Sequence, residues 1–117
     1  MTVSAKTRKT VIERDGLRCQ WCGGSLEGQI SRGAYSLQHR RARGMGGSKD
    51  PVTDSPANLV LMCGSGTTGC HGYVEQHREE SRERGFTLYQ ADDPQAVGVH
   101  AFDGAWFLNL DGSKVAA

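Results

Sequence analysis

At 117 residues the chain has the length of one domain and is too short for two large cores. No run approaches the roughly 18 apolar residues of a membrane span, and the opening MTVSAKTRKT lacks the apolar centre of a signal peptide, so membrane spanning and export are not expected and a cytoplasmic protein is. The formal charge of +1 hides a division: residues 1–43 hold nine Lys/Arg against three acidic residues (+6) and residues 44–117 hold five against ten (−5), so one half suits a polyanion partner.

AKTRKTVIERDG (5–16) reads as a short helix with its basic positions solvated, Val11 and Ile12 turned inward and Gly16 as its stop. LRCQWCGGSL (17–26) is a tight turn around two cysteines. In AYSLQH (34–39), Tyr35 and Leu37 alternate onto one face, as in a strand, with His39 just beyond it. RRARGMGGSKDPVTDSPAN (40–58) is dense in Gly, Ser and Pro and reads as a long surface loop, which in a compact domain is usually functional. LVLM (59–62) is a second apolar strand.

From His71 to Arg84 the spacing predicts a charged helix closed by Gly85, with Tyr73 and Val74 as its apolar positions and Glu75/Arg78, Glu79/Arg82 and Glu80/Arg84 as supporting pairs. Beyond FTLY and the acidic link QADDPQ, two apolar runs flank Asp103-Gly104, a strong hairpin signal. The expected organisation is a main domain over residues 1–88 and an accessory C-terminal β-hairpin over 89–117.

All four cysteines fall into two pairs, Cys19-x2-Cys22 and Cys63-x6-Cys70. In a cytoplasmic chain such pairs read more readily as metal ligands than as disulfides. Glycines follow Cys22 and Cys63, which suits turns whose amides donate to thiolate sulfurs. The expectation is one structural zinc held by all four thiolates, closed to chemistry and stapling a helix start to the N-terminal turn. A redox CQWC would want a βα context, and two disulfides would want an oxidising compartment. Zinc would contribute about 10–16 kcal/mol of folding free energy, as in small zinc modules. His71 directly follows Cys70, and neighbouring helical residues point about 100° apart, so the two face different centres.

His39 at a strand end, Asn58 before the second strand and His71 at a helix start are the remaining reactive groups. With CQWCGG, LQHRRARGMGG, NLVLMCG and GCHG in that order, the sequence resembles the HNH endonuclease family, specifically its small zinc-stapled bacteriophage members, over roughly Val11 to Gly85. The resemblance implies an α+β fold with a ββα-metal (His-Me finger) unit, and metal-dependent hydrolysis of DNA phosphodiester bonds by nicking or double-strand cleavage. It makes His39 the general base, His71 a ligand of a catalytic divalent cation (Mg²⁺, Mn²⁺ or Ni²⁺) and Asn58 the residue that ties the loop to the strand. It also implies a phage-encoded protein acting with terminase subunits in genome packaging.

The family often places Asp or His before the base as a second metal ligand. Here the residue is Gln38, whose neutral amide is a poorer partner for a hard cation. Glu75, at i+4 from His71, can supply that ligand or be an ordinary solvated helix residue. Arg40, Arg41 and Arg43 follow the base and are expected to grip DNA phosphates, with Lys49 in GMGGSK adding charge. His77 and His100 read as surface residues. The competing functions are a zinc-stapled DNA-binding or packaging adaptor with a decayed nuclease site, and a zinc-ribbon interaction module that leaves the arginines unexplained.

Overall fold

A computed structural model describes residues 3–43 and 50–117. Helix α1 (Ala5–Arg14) starts where the Ser4 hydroxyl accepts the Thr7 amide, and it buries Val11 completely and Ile12 in part. Its last residue departs from the expected solvated basic face. The Arg14 guanidinium is buried, pairs with Asp15 at 2.9 and 3.1 Å and donates to the carbonyls of Pro56 and Leu59, both at 2.6 Å. Asp15 also accepts the Leu61 amide at 2.9 Å. A cation at a helix C-terminus is already favoured by the backbone dipole, and here its carboxylate partner carries it into the interior.

After the cysteine turn and the single turn α2 (Glu27–Ile30), β1 (Ser36–His39) pairs antiparallel with β2 (Leu59–Met62), Ser36 opposite Met62 and His39 opposite Leu59. His39 is thus the last residue of the strand rather than one beyond it. A 3₁₀ turn, Pro56–Asn58, leads directly into β2. All four β2 residues are buried, which is why LVLM shows no alternation: both faces of the hairpin are covered. Val11 and Val3 pack on Leu59, while Val60, Leu61 and Met62 join Val74, Phe86, Cys19 and Leu26 in the main core.

The expected helix from His71 to Arg84 is two helices, α3 (Gly69–Gln76) and α4 (Arg78–Glu83), broken at His77, whose φ of −119° and ψ of 62° are not helical. The His77 ring stacks on Tyr73 at 3.9 Å and its Nδ1 bonds the Tyr73 carbonyl, so aromatic stacking competes with a continuous helix. The expected ion pairs rearrange accordingly. Glu75 keeps Arg78 at 3.4 Å, but Glu80 accepts the Tyr73 hydroxyl and Arg84 lies over the Trp21 ring at 3.7 Å.

The C-terminal segment is a three-stranded antiparallel sheet rather than a hairpin: β3 (Val99–Ala101), β4 (Gly104–Leu108) and β5 (Lys114–Ala116). Nor is it an accessory. Val99 and Leu108 belong to the main core, and the Phe102 ring lies against Gly23 of the cysteine turn, where a Cβ would collide with it. The radius of gyration, 12.8 Å, is that of one domain of this length, for which about 13 Å is expected. Among the described residues no helix is long and apolar enough to cross a membrane.

Candidate functional site

The four cysteine sulfurs lie within 4.8 Å of one another. Tetrahedral zinc–thiolate bonds of about 2.3 Å place sulfurs about 3.8 Å apart, so the cluster could hold a metal ion such as zinc. Its turns are built as the glycines suggested. Gly23 and Gly64 have positive φ, and the Cys70 amide donates to the Cys63 sulfur at 3.4 Å. Burial pushes the Cys19 and Cys70 thiols up. Cys22 falls below the ordinary thiol value because the Gly24 amide and neighbouring sulfurs outweigh its burial. Four thiolates this close would repel one another, and a bound cation would offset that repulsion.

His71, on the first turn of α3, faces away from that cluster. The Ser36 hydroxyl donates to the Gly64 carbonyl at 3.0 Å, so its oxygen accepts from His71 Nδ1 at 2.8 Å. That tautomer leaves the Nε2 lone pair toward Glu75 Oε1, 3.6 Å away. Burial lowers the His71 pKa and Glu75 opposes the shift, and the net lowering favours the neutral form that ligates metals.

Gln38 lies on the same strand face as Ser36 and is only 2 % exposed. Its Nε2 donates to the Phe86 carbonyl at 3.1 Å, and its Oε1 is buried with no hydrogen-bond partner among the described residues. A buried acceptor left unpaired costs about 1–3 kcal/mol, and such exceptions commonly mark a place for an ion or a catalytic role. His71 Nε2 and Glu75 Oε1, 3.6 Å apart, are an imidazole nitrogen and a carboxylate oxygen of the kinds that bind divalent cations.

His39 is half-buried. Its Nε2 lies 2.8 Å from Asp54 Oδ1 and 3.4 Å from Arg43 Nε, and Arg43 Nη2 donates to the same Asp54 oxygen at 3.0 Å. A neutral imidazole nitrogen cannot donate to one and accept from the other, and the shorter contact to a carboxylate decides: Nε2 carries the proton and Nδ1 the lone pair. Burial pulls the Asp54 pKa up, but the hydrogen bonds from His39 and Arg43 and the Arg43 charge outweigh it and hold the carboxyl below its ordinary value.

Asn58 is fully buried and links the loop's two limbs. Its Oδ1 accepts the Arg41 amide at 2.7 Å, and its Nδ2 donates to the carbonyls of Arg41 at 2.9 Å and Thr53 at 2.8 Å.

The three arginines expected to grip DNA have three different fates. Arg40 is 1 % exposed, and its guanidinium donates to the carbonyls of Gly85, Ala57, Pro94 and Val97 at 2.6 to 3.1 Å. Burial lowers its pKa to about 10, still protonated at neutral pH. It is a core strut and not a phosphate contact, because the strand that ends at His39 turns it into the gap between β2 and the C-terminal link. Arg41 donates to the Asp92 carbonyl and pairs with Asp50 at 2.8 Å. Arg43 pairs with Asp54 and is partly exposed. Lys49 lies outside the described residues.

His77 and His100 are exposed, as expected. Ser36 and Asp54 carry no sequence signal of their own. The first sits on an alternating strand, and the second reads as one more polar residue in a Pro-rich turn. No protein-family model matches the chain, and no curated protein or solved structure matches it.

Proposed function

We propose that the protein is a divalent-metal-dependent HNH-type endonuclease that hydrolyses DNA phosphodiester bonds, nicking or cutting both strands, with β1, β2 and α3 as its ββα-metal unit. The observation that carries this reading is one geometry. A strand ends in His39, whose Nε2 meets Asp54 at 2.8 Å, and the first turn of a helix carries His71, whose Nδ1 meets Ser36 at 2.8 Å.

In this reading the His39 imidazole takes a proton from water as the water oxygen attacks phosphorus. The bond to the 3′ oxygen breaks, that oxygen acquires a proton from solvent, and the products are 5′-phosphate and 3′-hydroxyl ends. A divalent cation (Mg²⁺, Mn²⁺ or Ni²⁺) held by His71, Glu75 and Gln38 would offset the charge that builds on the phosphate and leaving oxygens. Asn58 keeps the base-bearing segment and the returning limb of the loop in fixed relation. Arg43, the partly exposed guanidinium beside the base, binds the DNA backbone from its place beside Asp54, and Arg41 does so by exchanging the Asp50 carboxylate for phosphate oxygens. A phage origin and a terminase partner rest on the sequence resemblance.

A second reading, a zinc-stapled DNA-binding or packaging adaptor, is favoured by one observation: the strand-side donor is a neutral amide whose nitrogen is already committed to Phe86. Supercoiled plasmid separates the two. The nuclease reading expects relaxed or linear product with Mg²⁺, Mn²⁺ or Ni²⁺ and none from His39→Ala, whose melting temperature stays near that of the parent because a half-buried ring adds little to the core. Intact plasmid that the protein nonetheless retards on a gel would leave only the adaptor.

A further inference from the structure

We propose that Asp54 is the positioning carboxylate of the His39 base: it holds the proton on Nε2, aims Nδ1 at the attacking water and offsets the imidazolium charge that forms. This deepens the nuclease reading and rests on it. The contact is short, 2.8 Å, and the carboxylate receives a second charged donor, Arg43, which keeps it ionised.

Asp54 is also held from behind. The Thr53 carbonyl accepts from Asn58 Nδ2, and the Ser55 amide and hydroxyl both donate to the Val52 carbonyl, at 3.0 and 2.7 Å. The same Asn58 side chain grips both backbone groups of Arg41, two residues after His39. One buried amide therefore fixes the base and its carboxylate to a common reference, which a chance surface ion pair does not have.

The chemistry follows from the tautomer. Water gives its proton to Nδ1 and the ring becomes imidazolium. The Nε2 proton stays on Nε2, hydrogen-bonded to Asp54, and the added proton later leaves Nδ1 to solvent. Asp54 itself is never protonated in the cycle.

The opposite role is also conceivable for a carboxylate in this position: a phosphate mimic that occupies His39 and Arg43 until DNA displaces it. The two roles differ in sign. In the zinc-loaded protein, Asp54→Asn keeps size and removes charge, and its amide can turn its NH₂ toward Nε2 and force the ring proton to Nδ1.

Positioning expects kcat for oligonucleotide cleavage to fall about 10²-fold or more in Asp54→Asn with KM changed less than about threefold, and Asp54→Glu to recover part of what Asp54→Ala loses. It also expects ¹⁵N spectra of the DNA-free protein to show the His39 proton on Nε2 in the parent and on Nδ1 in Asp54→Asn, a change that a merely structural residue would not produce. Unfolding curves of Asp54→Asn establish that it folds.

A gain in kcat/KM would overturn the proposal in favour of the mimic, and an unchanged ring with unchanged kcat would overturn it outright. An inert parent whose His39 tautomer still responds to Asp54→Asn would sink the nuclease reading while leaving the base-orienting contact standing.

Discussion

The two ends of the β1–β2 hairpin are held by opposite means. At the Ser36–Met62 end, the chain runs from β2 into Cys63, and four cysteine sulfurs converge as like donors that could share one metal ion. At the His39–Leu59 end, charges of both signs already satisfy each other: Arg43 with Asp54, Arg41 with Asp50, and the buried Arg40 with four carbonyls. The first end is a cluster that could hold a metal ion. The second is complete before any ligand arrives, so its geometry can be set in advance for a reaction.

Removing the cation should therefore give the largest effect, and at one end first. Metal analysis should find about one zinc per chain, and strong chelation should abolish cooperative thermal unfolding, since zinc binding in comparable modules is worth about 10–16 kcal/mol. A metal-free protein that melts cooperatively with two disulfides detected by mass would remove the contrast.

The next largest effect separates two arginines three residues apart. Arg40→Ala strands three buried carbonyls and one part-buried one and should cost roughly 4 kcal/mol or more in denaturant unfolding. Arg43→Ala should cost under about 1 kcal/mol, as an exposed ion pair does, and show itself in weaker DNA binding instead. Equal destabilisation by both would mean that the His39 end is held by charge number rather than by burial.

Metal dependence comes third. Glu75→Ala should raise the Mn²⁺ concentration for half-maximal cleavage on the order of tenfold. Gln38→Leu should do so by less while leaving the zinc-loaded protein without Mn²⁺ nearly as stable, since it removes the orphaned oxygen together with the Phe86 hydrogen bond. Gln38→Asp should lower the concentration needed, a carboxylate being the better partner for a hard cation. A metal requirement indifferent to positions 38 and 75 would leave His71 as the sole protein ligand.

The smallest effect is acid sensitivity. Asp54 has a carboxyl held below its ordinary value in the fold, so its contribution is fully present above the ordinary carboxylate pKa and is lost as pH falls through the lower folded value. Below about pH 4, Asp54→Asn should therefore converge on the parent in stability while remaining less stable at neutral pH. Parallel pH–stability curves would show that the ion pair adds nothing.

Residue chemistry and spacing alone pointed to the cysteine cluster, the two apolar strands, the N-terminal helix and the glycine stops, while the family resemblance singled out His39 and His71. Thiols in two pairs are candidate metal ligands before any fold is known. A run such as LVLM must be buried, and a glycine at positive φ is a local requirement. The tertiary structure decided what local signals cannot encode. Arg40, Arg41 and Arg43 are alike in sequence, and only the path of the chain past Gly85, Pro94 and Val97 makes the first a core strut. Helix periodicity ran through His77 because it does not register a ring stacking back on Tyr73. Ser36 and Asp54 acquire their roles from partners 35 and 15 residues away, through hydrogen bonds whose existence depends on distances of a few tenths of an ångström, and those are set only when both faces of the hairpin are packed.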